Sequence, residues 1–194
     1  MPDFYLGHCW VGPTVWAVLF IFDYALTLVC ARLYKAHWSQ VFVYEGSFEL
    51  TPYFQRDIDT LRALSPRFFL ILISEFLLLL GLGVFVSGEA PELYSSALGA
   101  AILLQLAIHS RHLENLVAYR RARLKETTGR IEMSRRAILE QSGAHLFAFF
   151  GLYLVVWAFT WSWFVLGGVI STLLTGVKHW MSARKSVAAA PPAG

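Results

Sequence analysis

The chain has 194 residues, of which 57% are hydrophobic and 15% charged, with a formal net charge of +3. A soluble domain of this length cannot hide so much apolar surface, so the composition excludes an ordinary globular domain and points to membrane-spanning helices. The small positive charge is an orientation signal, and nucleic acid is not an expected partner.

A span needs about 20 apolar residues, because the hydrocarbon core is ~30 Å thick and a helix rises ~1.5 Å per residue. The first such run is Pro13 to Ala31. No Lys or Arg precedes Arg32, so it lacks the basic start of a signal peptide. Next comes an inner loop. Its start, His37 to Tyr44, is aromatic and interfacial in character. Thr51-Pro52 reads as a helix start, and Phe54, Ile58 and Leu61 recur at helical spacing against Arg56, Asp57, Asp59 and Arg62. That pattern predicts a short amphipathic helix on the inner surface.

The second span runs from Phe68 to Ser87, with Ser65-Pro66 as N-cap and first-turn proline. A turn at Gly88 to Pro91 joins it to the third, Leu93 to Leu113. A basic segment from Tyr119 to Arg136 follows, expected to extend its neighbouring helices and to break near Thr127-Thr128-Gly129. The last apolar region is too long for one span, at ~50 Å for residues 144–177. It divides into spans at 137–159 and 162–182, turning at Thr160-Trp161-Ser162, with a single long tilted helix as the alternative. Residues 188–194 read as a disordered tail of small residues and prolines, leaving residues 1–187 as one transmembrane domain.

Charge decides between five spans and four. With five spans, an outside N-terminus and a cytoplasmic C-terminus, all sixteen Lys and Arg lie inside. The outer segments then hold only Asp3, Glu89 and Glu92. The expected fold is therefore an all-α polytopic helix bundle in the inner membrane of a prokaryote. The bilayer is its first partner, with anionic lipid at the inner face and a homo-oligomer as further expected partners. Cys9 and Cys30 fall at opposite ends of span one and are not expected to pair.

Ionisable and polar residues inside spans are costly and mark function. Asp23, Thr27 and Cys30 share a face of span one, at i, i+4 and i+7. Glu75 lies two turns into span two. Gln105, His109 and His112 repeat the same spacing on span three, and His145 lies two turns into span four. All sit in the inner halves, so four stripes are expected to converge on one cytoplasm-facing pocket. The candidate ion- or substrate-binding residues are Asp23, Thr27, Glu75, Gln105, His109 and His145.

Asp23-x3-Thr27 followed by Glu49-Leu50-Thr51-Pro52 resembles a motif of small prokaryotic multi-pass membrane proteins, Asp-x3-Thr and then Glu-x-Asn-Pro. Here Thr51 replaces the Asn and the loop is longer. The resemblance covers about forty residues. It implies a multi-pass helical fold with Asp23 and Glu49 in one site, and it brings no activity.

Three kinds of function stay open. Transport or permeation of a small cation or proton follows from the intramembrane Asp23, Glu75, His109 and His145. A metal-dependent enzyme or metal-binding protein would draw on Asp23, Glu45, Glu49, His109, His112 and His145 for a divalent ion, and His109 or His112 with His145 would serve as axial ligands if the group were haem. A non-catalytic subunit or assembly factor would use the same polar residues only to bind helices together.

Overall fold

The structure is a computed structural model and describes residues 8–45, 49–51, 53–124, 126 and 129–188. Asp3, Pro52, Lys125, Thr127, Thr128 and residues 189–194 of the expected tail lie outside the described residues. The described chain is all-α apart from one small strand pair. The helices are α1 (Val11–Leu33), α2 (Gln55–Asp59), α3 (Pro66–Phe85), α4 (Pro91–Arg123), α5 (Arg135–Thr160) and α6 (Trp163–Ala188). All but α2 are long and apolar enough to cross a membrane.

The local signals that end and start these helices act as expected. Ser65 caps α3, its side chain accepting a hydrogen bond from the Phe68 amide, and Pro66 opens the first turn. The turn between α5 and α6 falls at Trp161, which ends α5 in the left-handed region at φ 51°. No glycine supplies that conformation. Ser162 starts α6, accepting from the Val165 amide at 3.4 Å. The last apolar region is thus two helices, not one.

The inner loops differ from expectation in three ways. First, β1 (Phe42–Tyr44) and β2 (Ile131–Met133) pair in parallel, with Val43 opposite Glu132. Each strand has only three residues. Such strands have no periodic signature, because their hydrogen bonds depend on a partner almost ninety residues away. Second, α2 is shorter than the amphipathic pattern suggests, with Phe54 rather than Thr51 at its start. Third, Asp57 faces inward. It is buried and accepts a 2.6 Å hydrogen bond from Ser65, with Arg62 at 3.8 Å. A carboxylate can be buried there because these partners compensate it. Tyr24 donates to the Arg62 carbonyl at 2.6 Å, which ties this loop to α1.

Packing follows from small residues and aromatics rather than from hydrophobicity, which gives no net drive between helices in lipid. Trp16, Phe20, Tyr24 and Phe68 form a stacked ladder between α1 and the start of α3, with Tyr24 and Phe68 centroids 4.4 Å apart. α5 packs along α6, α6 along α4, and α4 along α1, whereas the backbones of α4 and α5 stand apart and are bridged by side chains such as Arg111–Ser142 and Tyr153 to the Leu103 carbonyl. The α4–α6 crossing is close enough that a Cβ on Gly167 would fall on the Ser96 carbonyl, and one on Gly99 on the Phe164 carbonyl. Gly12 of α1 seats against the Leu98 side chain of α4. That register puts His112 about level with Thr27, from which its Nε2 also reaches Asp23.

Gly167→Val should force α4 and α6 apart and lower stability by about 1–3 kcal/mol or more, the range for overpacked sites. Gly151 has open space around its Cα. Thermal unfolding in detergent should show a clear fall for Gly167→Val and almost none for Gly151→Val.

Candidate functional site

The gap left between α4 and α5 is a chamber at the inner end of the bundle. It has a volume of about 430 Å³, and Arg111, His112, Glu114, Gln141, Ser142 and His145 provide its polar walls. Phe42, Tyr44, Ile131 and Met133 of the strand pair form its roof. The Glu45 carboxylate accepts a 3.0 Å hydrogen bond from the Arg135 amide, fixing the roof to the start of α5. Burial pushes the Tyr44 phenol above its ordinary pKa, so the roof presents a neutral hydroxyl. A smaller chamber of about 130 Å³ shares Glu49, Arg111, His112 and His145 and adds Asp23, Lys178 and His179.

Ser142 joins the three helices around these chambers. Arg111 of α4 donates to its Oγ at 2.5 Å. His179 of α6 lies 2.9 Å from the same oxygen through Nδ1. Arg111 can only donate here, whereas His179 Nδ1 donates or accepts according to its tautomer. Ser142 is 2% exposed, so this junction is shielded from competing water.

Asp23 and His112 form the deepest ionisable pair. His112 Nε2 lies 3.1 Å from both Asp23 Oδ1 and Thr27 Oγ1. The Thr27 hydroxyl donates to the Asp23 carbonyl at 2.9 Å, so its single proton is already used. The tautomer follows: His112 Nε2 carries a hydrogen and donates to Thr27. Asp23 Oδ1 sits beside the same nitrogen as an ion-pair partner, without the alignment of a hydrogen bond. The opposite nitrogen, Nδ1, is buried with no hydrogen-bond partner. The His112 side chain is 4% exposed and that of Asp23 19%. Nδ1 is thus the open nitrogen of the ring, and the Asp23 carboxylate lies 3.1 Å from the other.

His145 makes a different set of contacts. Nε2 lies 2.7 Å from Ser110 Oγ and 3.2 Å from the Ala107 carbonyl, and Nδ1 lies 3.5 Å from Glu114. Serine, histidine and carboxylate in this order suggest a hydrolase triad. The tautomer of His145 decides. With the hydrogen on Nε2, His145 donates to the Ala107 carbonyl, to which Ser110 also donates at 2.8 Å, and His145 is then no base toward Ser110.

The remaining candidates divide. Gln105 and His109 lie near the middle of α4, outside the linings of both chambers, and His109 Nδ1 is 2.6 Å from the Gln105 carbonyl. Gln105 Oε1 and His109 Nε2 are buried without hydrogen-bond partners. Glu49 lines both chambers and accepts from the Thr51 amide at 2.7 Å. Glu45 fixes the roof. Glu75 stands apart, on the exposed face of α3 and outside both chambers. Among the described residues, no group of three His, Cys, Asp or Glu is placed to hold a metal ion. His112 and His145 each use Nε2 on protein partners.

Arg111, Ser142, Lys178, His179, Ser110 and Glu114 are site residues that the sequence did not single out. Arg111 carried a usable signal, a cation within the apolar run ending at Leu113. Ser142 carried none, since serine is ordinary in membrane helices. No family model matches the chain, and no curated protein or solved structure is similar to it.

Asp23→Ala and His112→Ala should each destabilise the protein, and their effects should not add. A double-mutant cycle on thermal unfolding should give a coupling of about 0.5–3 kcal/mol, as for residues in direct contact.

Proposed function

We propose that this chain is an integral membrane protein that spans the bilayer five times, with its N-terminus outside and its C-terminus in the cytoplasm, and that it conducts protons through an inward-facing site. The observation that carries this reading is the Asp23–His112 pair. One imidazole nitrogen is held by Thr27 and Asp23 while the other is buried and unpartnered, beside a chamber at the inner end. Histidine is the side chain whose ordinary chemistry moves protons near neutral pH, and an imidazole with one open nitrogen beside a carboxylate is a fitting proton carrier.

The orientation rests on charge: it places all sixteen Lys and Arg on one side. The small chamber that contains Asp23 is also lined by Arg111 and Lys178. Asp23 and Glu49 face them in the same lining, so two carboxylates balance two fixed cations there. His145 and Glu49 line the route from the cytoplasm. On the outer side, Trp16, Tyr94 and Leu98 are each 1% exposed and close the bundle with apolar side chains. Proton release to the outside therefore requires these packed residues to separate, or a route at the contact between copies in a homo-oligomer.

Proteoliposomes loaded with a pH indicator test this reading under an imposed potential. Wild-type protein should acidify or alkalinise the lumen faster than empty vesicles. Asp23→Asn and His112→Gln should cut that rate by about a hundredfold, the order expected when a positioned proton carrier is lost. If the polar contacts only join helices, these variants lose stability and the wild type moves no protons. That result, or an Asp23→Asn flux equal to wild type, overturns the reading.

A further inference from the structure

A third cavity, of about 530 Å³, lies at the inner ends of α1 and α4, away from the Asp23 site. Leu33, His37, Trp38, Leu116, Arg120 and Arg123 line it, with Tyr119 at its base. We infer that it is a binding site for the phosphate-bearing headgroup of an anionic phospholipid in the cytoplasmic leaflet.

The shape of the site is that of an amphiphile. On α4, Leu113, Leu116, Val117, Arg120 and Arg123 follow helical spacing, so an apolar strip leads into a cationic end. On α1, Val29, Leu33 and His37 do the same. Val29, Leu113 and Val117 are exposed, so the apolar half opens sideways to the acyl chains rather than into protein. The depth also agrees. His37 lies six residues past the end of span one at Ala31, or ~9 Å along the helix. The headgroup layer occupies roughly the outer 5–8 Å on each side of the core. Arg120 and Arg123 reach back toward it along their flexible stems.

The cations are free to bind. Arg62, Arg130 and Arg136 each hold a carboxylate. Arg120, Arg123 and His37 have no ion-pair partner among the described residues. Helix α1 reaches the cavity through a π-helical turn, Tyr34–Trp38, which brings His37 and Trp38 to its wall. Such turns recur at functional sites because they widen the helix and redirect side chains. A basic pocket between helices at the cytoplasmic side is the arrangement that binds acidic headgroups. An acidic protein segment would match the charge but not the apolar strip that faces lipid.

The inference rests on the five-span orientation and not on proton conduction. Delipidated protein in a neutral detergent, titrated with phosphatidylglycerol and followed by native mass spectrometry, tests it. Bound phosphatidylglycerol should be retained and phosphatidylcholine should not. The Arg120→Gln/Arg123→Gln variant should bind roughly 30-fold more weakly, from about one unit of surface attraction per cation. Both residues are exposed, so this change should leave folding intact. Arg130→Gln/Arg136→Gln, which removes cations outside the cavity, should bind within about twofold of wild type. Asp23→Asn should bind normally, which separates a failure of the lipid site from a failure of the proton reading. Equal binding of phosphatidylcholine, or wild-type binding by the Arg120/Arg123 variant, overturns the proposal. So does binding of inorganic phosphate at this site without phosphatidylglycerol.

Discussion

How closely α6 approaches α4 at the outer end governs everything at the inner end. Gly99 and Gly167 let the two backbones meet, and Ser96 and Ala100 keep the contact small. With α6 held against α4 on one side and α5 on the other, the α4 and α5 backbones stay apart and meet through side chains. The chamber is the space between them. In water such a gap would collapse under the hydrophobic effect. Between lipid-facing helices that drive is absent, and polar side chains such as Arg111 and Ser142 hold the gap at a fixed width.

The polar contacts differ in kind. In the Arg111–Ser142–His179 junction the one hydroxyl oxygen meets a side chain from each of the two neighbouring helices. That is the behaviour of a structural tie. The Asp23–His112 pair is not saturated. One imidazole nitrogen, one carboxylate oxygen and the side-chain oxygen of Gln105 are buried without hydrogen bonds. Unsatisfied polar atoms in a low-dielectric interior are costly and persist where they serve a purpose. The contrast is why the proposed proton site falls on Asp23 and His112, although His145 has more contacts. It also limits the role of Ser110, whose proton is held by the helix carbonyl behind it.

Much of the fold could be read from the sequence because it depends on local signals. Ser65-Pro66 caps α3 by its own chemistry. The split near Trp161 follows from length, even though no glycine marks it. Helical periodicity placed Asp23 and Thr27 on one face, and His109 and Gln105 on another. It could not give the offset between helices. Whether Asp23 meets Gln105, His109 or His112 depends on Gly12 seating against Leu98, a contact between residues that carry no polar signal. The roof of the chamber was invisible for a related reason: three-residue strands show no pattern until they find each other. Asp57 seemed to belong to a solvated face, and its burial depends on Ser65, a residue already assigned to capping. Glu75 was correctly identified as an acid within an apolar run, but the stripe it belongs to faces away from the chamber.

The proposed five-span orientation puts the chamber at the cytoplasmic end of the bundle and the turn at Trp161 outside. Gln141 lines the chamber and is exposed, and Trp161 lies at the far end of the same helix. Single cysteines at these positions, in a background with Cys9 replaced, can be labelled with a membrane-impermeant maleimide in sealed vesicles of either orientation. Gln141→Cys should react only in inverted vesicles and Trp161→Cys only in right-side-out ones. Reaction of both positions from the same side, or of Gln141→Cys from the outer side, would contradict the account.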